Sequence, residues 1–212
     1  MHVLYDESHD DAQASADYQF VYPNISNRGS FWREFDDIAC HLMSGDGPAS
    51  FASSKGDAAI HAIGQAIIAA SQDVIINYAM LFDIGDFGGQ LIWAGITNCG
   101  RPPWQLGASL DADFQELNFR LAGSVAEIHF ARDNYKSGSH LSDRVLSILL
   151  ANRIAEKLDR DPDKFLTAQL DYVREIVVAN ESLVHSLAQS LMTSEELSGA
   201  ALNSTLARVT IP

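Results

Sequence analysis

The stretch GDAAIHAIGQAIIAA, residues 56–70, constrains the fold more than any other part of the sequence. Its apolar residues recur at helical spacing, and His61 and Gln65 are the polar interruptions. A helix that is apolar on nearly all sides has to be enclosed by other elements, so the stretch predicts a buried central helix. His61 and Gln65 are four residues apart and therefore share one face of that helix.

Composition and charge narrow the classes of function. Hydrophobic residues make up 47% of the 212 residues and charged residues 20%, which is typical of a globular protein. The net charge of −14 repels phosphate groups and argues against nucleic acid and anionic membrane as partners. The two cysteines, Cys40 and Cys99, form no CxxC pair, which favours a reducing cytoplasm. We expect no membrane insertion, because no apolar stretch reaches the roughly 18–20 residues of a span.

The periodicity of apolar residues predicts a mainly α fold with a small β-hairpin. Residues 1–50 are expected to form an N-terminal extension, irregular apart from one helix that begins at Ser30, and residues 51–212 the folded domain. The elements expected in that domain are a helix over 58–71 capped by Asp57, strands over 73–82 and 90–96 joined by a turn over 83–89, and helices over 111–131, 141–158 (capped by Ser142) and 163–192. A capping box formed by Thr193 and Glu196 predicts a short final helix.

Three short motifs, in order along the chain, carry a resemblance to a known family. HAIGQAII (residues 61–68) resembles the HEAGHAVV motif of FtsH-type ATP-dependent zinc metalloproteases, LAGSVAEIHF (121–130) resembles LAGRAAEELVFG, and SGSHLSDRVLSILLA (137–151) resembles TGASNDLxxATxLA. The ending ESLVHSLAQSLMTSEELSGAAL is similar to that family's final helix and tail. The resemblance covers roughly residues 55–205 and implies an FtsH-peptidase-like helical domain with a hairpin after the zinc helix. The family's AAA ATPase module and membrane anchor have no counterpart in this sequence.

The resemblance also implies a degenerate catalytic site. It identifies His61 as the first zinc ligand, Gln65 as the lost second ligand and Asp143 as the third, with Ala62 in place of the general base. Alanine accepts no proton, and general-base help is worth about 10²–10⁴-fold in rate. A glutamine amide is also a much poorer zinc ligand than imidazole. We therefore expect a catalytically inactive homologue with no bound cofactor; whether Ala62 is natural or engineered stays open.

Other histidines offer an alternative to this interpretation. His140, in the loop just before Asp143, could replace the lost ligand and restore zinc, as could His129 or the N-terminal residues His2 and His9. The protein would then be a zinc-dependent metallopeptidase with a rearranged site.

The same residues can also be interpreted as a hydrogen-bonded cluster that holds no metal ion. His61 would pair with Asp143 and Gln65 would bridge the two, because buried polar groups need hydrogen-bond partners. Glu127 could either support the old metal site from outside its ligands, or cap or brace a neighbouring helix.

The expected function of an inactive homologue is binding of protein or peptide. Family members hold substrate partly through an exposed strand edge, and residues 74–82 are where we expect such an edge. An active FtsH-type protease and further copies of this chain are candidate partners. A helical interaction domain unrelated to proteases is the remaining alternative. Finally, Ala62→Glu combined with Gln65→His is predicted to restore zinc binding, since Asp143 is retained.

Overall fold

The central helix begins with a capping box that the sequence indicated only in part. The computed structural model describes residues 54–87, 90–100, 109–130 and 141–212. Helix α1 spans Lys55–Ser71, and the Ser54 side chain accepts from the Asp57 N–H at 3.1 Å while Asp57 accepts from the Ser54 N–H at 3.3 Å. Asp57 is therefore not the N-cap that we predicted. Ser54 takes that position because the two residues satisfy each other's backbone donors.

The remaining elements give a mainly helical fold with a small antiparallel sheet, which confirms the predicted fold class. They are strands β1 (Ile76–Phe87) and β2 (Gln90–Cys99), helices α2 (Leu110–Phe130), α3 (Leu141–Lys157), α4 (Pro162–Ala179) and α5 (Glu181–Ser194), strand β3 (Glu196–Ser198) and helix α6 (Gly199–Leu206). Every described helix is too short or too polar to cross a membrane. The helix expected from Ser30 and the extension over 1–50 lie outside the described residues.

Helix α1 lies at the centre and is buried along most of its length, as its composition predicts. Its seam with α2 consists of small residues: a Cβ added to Gly64 would lie 2.6 Å from the Ala126 Cβ and 2.8 Å from the Ala122 carbonyl oxygen. The missing side chain at Gly64 therefore allows the two backbones to come unusually close. This close approach brings the polar residues of α1 within reach of those on α2.

The hairpin is longer than the sequence predicted. Strands β1 and β2 pair in an antiparallel register that runs from Ile76↔Cys99 to Phe87↔Gln90. The predicted turn over 83–89 is wrong in its first five residues, because Asp83–Phe87 continue the strand. A register irregularity between Asp83 and Gly85 accommodates these turn-type residues within the ladder.

A third strand follows α5, where we predicted a capping box. Thr193 lies in the last turn of α5 and donates to the Gln189 carbonyl at 3.0 Å, and Glu195 then takes a left-handed conformation (φ 62°). Glu196 begins β3, which pairs antiparallel with Tyr78–Met80. The predicted box is therefore wrong, although the short final helix is present as α6.

Two further helix boundaries differ from the prediction. Ser142 is not a cap but lies inside α3. The helix predicted over 163–192 is two helices that meet at Asn180, whose side-chain amide donates to the carbonyls of Ile176 (2.7 Å) and Thr210 (2.8 Å). The apolar stripe continues across the break, because both helices face the same core, and so it conceals the boundary.

Candidate functional site: a buried charged cluster

Three helices each contribute one ionisable side chain to a buried cluster. His61 comes from α1, Glu127 from α2 and Asp143 from the first turn of α3, and none of the three is more than 5% exposed. The His61 Nδ1 lies 2.6 Å from the Glu127 Oε1, and the His61 Nε2 lies 3.6 Å from the Asp143 Oδ2. The structure thus brings together residues that are 66 and 82 positions apart in sequence, all of them among the sequence-predicted site residues.

The imidazole of His61 is held in place by its surroundings. A Cβ at Gly123 would overlap the His61 ring, so the ring lies directly on the α2 backbone. Burial by itself lowers the pKa of His61. The carboxylates of Asp143 and Glu127 raise the pKa by more than burial lowers it, so the pKa rises from 6.5 to about 9. His61 is therefore an imidazolium at neutral pH, and its Nδ1 donates to the Glu127 Oε1. A protonated histidine has no lone pair to offer a metal ion.

Gln65 and Ala62 lie at the positions that the resemblance assigns to the second zinc ligand and the general base. The Gln65 Nε2 donates to the Asp143 Oδ2 at 3.2 Å, so this amide binds the carboxylate and bridges the two helices. Ala62 is fully buried, and its carbonyl accepts from the Thr97 hydroxyl of β2 at 2.6 Å. Neither side chain can take a proton from water.

Arg120 and Glu116 belong to the same cluster, and the sequence analysis did not single them out. The Arg120 Nη1 donates to the Asp143 Oδ1 at 2.5 Å, and its Nε donates to the Glu116 Oε1 at 2.6 Å. Glu116 is buried, whereas the Arg120 side chain is 31% exposed. Their i,i+4 spacing on α2 was a readable signal for an ion pair, but nothing in the sequence linked that pair to Asp143.

The residues present do not fit a zinc ion. The Oδ1 of Asp143 accepts from Arg120 and its Oδ2 accepts from Gln65, so both oxygens are already engaged. Gln65 is a weak zinc ligand, so His61 and Asp143 alone would remain, whereas a zinc site takes at least three protein ligands. Within the described ranges, no three or more His, Cys, Asp or Glu side chains are arranged to hold a metal ion.

The alternative ligands fall into two groups. His140, His2 and His9 lie outside the described residues. His129 is exposed at the end of α2, and its ring contacts Phe130 edge-on at 4.8 Å. His129 is therefore not part of the buried cluster.

One buried carboxylate lies outside this cluster and is paired with two basic side chains. Asp113 on α2 is fully buried and lies 3.2 Å from the Arg153 Nε and 3.3 Å from the Lys157 Nζ, both on α3. The two cations come from the outer part of α3 and compensate the charge of Asp113. This arrangement fastens α2 to α3 a few turns away from His61.

The comparisons with known proteins add no assignment. No model of a protein family matches the sequence, and no curated protein matches it. The geometry of the charged cluster is therefore the basis on which a function has to be inferred.

Proposed function

We propose that this protein is a catalytically inactive homologue of the FtsH peptidase domain that acts by binding protein or peptide. The observation that carries the proposal is the meeting of His61, Gln65, Glu127 and Asp143 in one cluster on three helices. These residues come from the three motifs that resemble the family, and the resemblance predicted that they would meet. Buried polar groups pair in any fold, so the support lies in the fact that the resemblance had singled out these positions before.

The chemistry of the cluster supports the loss of catalysis. Hydrolysis of a peptide bond needs a group that takes a proton from water, and position 62 offers only a buried methyl group. The nearest carboxylates, Glu127 and Asp143, are engaged by cationic or amide donors rather than directed at a substrate. Among the described residues, these two carboxylates therefore stabilise the packing of the helices rather than serve acid–base catalysis.

We propose a different binding edge from the one that the sequence indicated. β1 is the central strand of the sheet, with β2 on one side and β3 on the other side at Tyr78–Met80. The strand over 74–82 is therefore not the exposed edge that we predicted. Among the described strands, β2 forms the long outer edge, and it packs on α1 at Ala62 through Thr97. The proposed peptide adds to the outer edge of β2 and runs beside the position of the lost base.

The loss of catalysis is tested with the purified full chain. Fluorescein-labelled casein, an unfolded polypeptide, is incubated with the protein with and without added zinc. Total metal is measured after dialysis against a weak chelator. We expect no cleavage and less than stoichiometric zinc. Cleavage that a chelator abolishes, or stoichiometric zinc after dialysis, would refute the proposal in favour of a metallopeptidase with a rearranged site.

Peptide binding is tested with a matched pair of surface variants. Ile96 on β2 is 36% exposed and Leu149 on α3 is 46% exposed, so lysine at either position leaves the core intact. A lysine on an edge strand disfavours pairing with a further strand. We expect Ile96→Lys to weaken the binding of labelled casein, measured by fluorescence anisotropy, by about tenfold, which corresponds to roughly 1.4 kcal/mol. Leu149→Lys should bind as the wild type does; equal weakening in both variants would remove β2 from the proposal.

The proposal extends to location and partners. We propose a cytoplasmic protein, consistent with its two cysteines, Cys40 and Cys99, which form no CxxC pair. An active FtsH-type protease is the partner proposed for its regulation, and self-association is the alternative mode of assembly. Size-exclusion chromatography of the chain, alone and mixed with such a protease, distinguishes the two.

A further inference from the structure

Asp143 is bound by a permanent cation in the place where the resemblance expects a metal ion. The Arg120 guanidinium reaches across from α2 to α3 and donates to the Asp143 Oδ1, while its other edge donates to Glu116. We propose that Arg120 is an internal cation that replaces the metal ion at Asp143 and excludes it. The claim that Arg120 replaces a metal ion rests on the proposed function, whereas the claim that Arg120 pairs with Asp143 does not.

The charges in the cluster indicate that Arg120 takes the place of a metal ion at Asp143 rather than binding beside one. Glu116, Glu127 and Asp143 are three buried carboxylates, and burying them requires compensating positive charge. Arg120 supplies that charge to two of them from a single planar group, because guanidinium presents several N–H donors in a fixed fork. A divalent cation at Asp143 would have to displace Arg120 and would also meet its repulsion at short range.

The inference changes what restoring the motif should achieve. Ala62→Glu with Gln65→His returns the base and the second imidazole, but Arg120 still occupies Asp143. Zinc binds tightly only when all of its protein ligands are available to it. Even residues that contact the ligands rather than the ion change metal affinity by about 10–100-fold. Removal of Arg120 should therefore tighten zinc binding by the restored motif by about 10–100-fold.

The experiment compares zinc affinity in four chains, measured by competition with a chromophoric chelator. These are the wild type, the A62E/Q65H variant, A62E/Q65H with Arg120→Met, and A62E/Q65H with Arg153→Met. The last is the matched control, because Arg153 pairs with Asp113 elsewhere on the same two helices and is similarly exposed. Circular dichroism verifies the fold, and Arg120→Gln, which is neutral but still a donor, replaces Arg120→Met if the latter does not fold.

We expect tight zinc binding only when Arg120 is removed. Equal affinity in A62E/Q65H with and without Arg120 would overturn the inference. Equal tightening by Arg153→Met would overturn it as well, since the effect would then be a general loosening of the helices.

A second measurement tests the ion pair of Arg120 with Asp143 independently of the proposed relation to FtsH-type zinc proteases. A double-mutant cycle of Arg120→Met and Asp143→Asn in the wild-type background should show coupling of about tenfold in the unfolding equilibrium constant. No coupling would overturn the role of Arg120 as the cation of Asp143. Coupling without zinc binding by any folded variant would support the ion pair but overturn its origin in a metal site, and with it the proposed ancestry.

Discussion

The protonation of His61 makes the stability of the fold depend on pH in a defined window. His61 has a pKa of about 9 in the folded protein, because the carboxylates of Asp143 and Glu127 outweigh the effect of burial. The ordinary value of 6.5 applies when the chain is unfolded. Between these two values the folded state holds a proton that the unfolded state has released, so the free energy of unfolding falls as the pH rises.

The magnitude follows from the size of the shift. Each pKa unit corresponds to about 1.4 kcal/mol, so the raised value is worth about 3 kcal/mol of stability. This contribution is fully present below pH 6.5, decreases through the window and is lost once the pH passes about 9. Replacing His61 with glutamine removes the proton while keeping a polar side chain.

The assay is urea unfolding followed by circular dichroism at several pH values from 6 to 9.5. The stability of wild type minus that of His61→Gln should fall by about 3 kcal/mol across this range. The same substitution at His185, whose side chain is 52% exposed, is the control and should follow the wild-type curve. A constant difference between wild type and His61→Gln would refute the buried imidazolium. A difference that grows with pH would refute the sign of the argument.

Three further substitutions test the packing. Gly123→Ala should cost about 1–3 kcal/mol in thermal or urea unfolding, because its Cβ would overlap the His61 ring; a neutral result would refute the close contact. Gly56→Ala, in the first turn of α1 with 3.6 Å to its nearest neighbour, should instead stabilise the protein by up to about 1 kcal/mol. Asn180→Ala removes three hydrogen bonds at the helix break and should cost about 1–3 kcal/mol, whereas Gln189→Ala on the exposed side of α5 should change stability by less than about 0.5 kcal/mol.

The sequence predicted most of the helices because their apolar residues are periodic and their ends carry recognisable signals. Local signals failed where tertiary contacts decide the outcome. At Asn180 the side chain replaces helical hydrogen bonds and binds Thr210, a partner 30 positions away. Strand β3 has only three residues and exists because it pairs with β1, so no local pattern could have predicted it.

Some members of the buried cluster could be selected from the sequence, but Arg120, Glu116 and the charge balance of the cluster could not. The resemblance selected His61, Gln65 and Asp143, and the structure places them within hydrogen-bond or ion-pair distance of one another. Arg120 was missed because a single arginine on an amphipathic helix normally faces solvent. Its real role depends on α3 lying beside α2, and that arrangement is a property of the fold rather than of the neighbouring sequence.

The pairing of β3 with β1 has a consequence for how the chain matures during synthesis. Tyr78 and its partner Ser198 are separated by 120 positions, and the Leu81 N–H is also bound by the Glu195 carbonyl at 2.8 Å. A ribosome that has made β1 and β2 must therefore add nearly a hundred further residues, from Cys99 to Ser198, before this part of the sheet is covered. During that interval the uncovered strand can recruit chaperones or pair with a neighbouring nascent chain. The synthesis of β3 thus completes the sheet and ends the exposure of this part of β1.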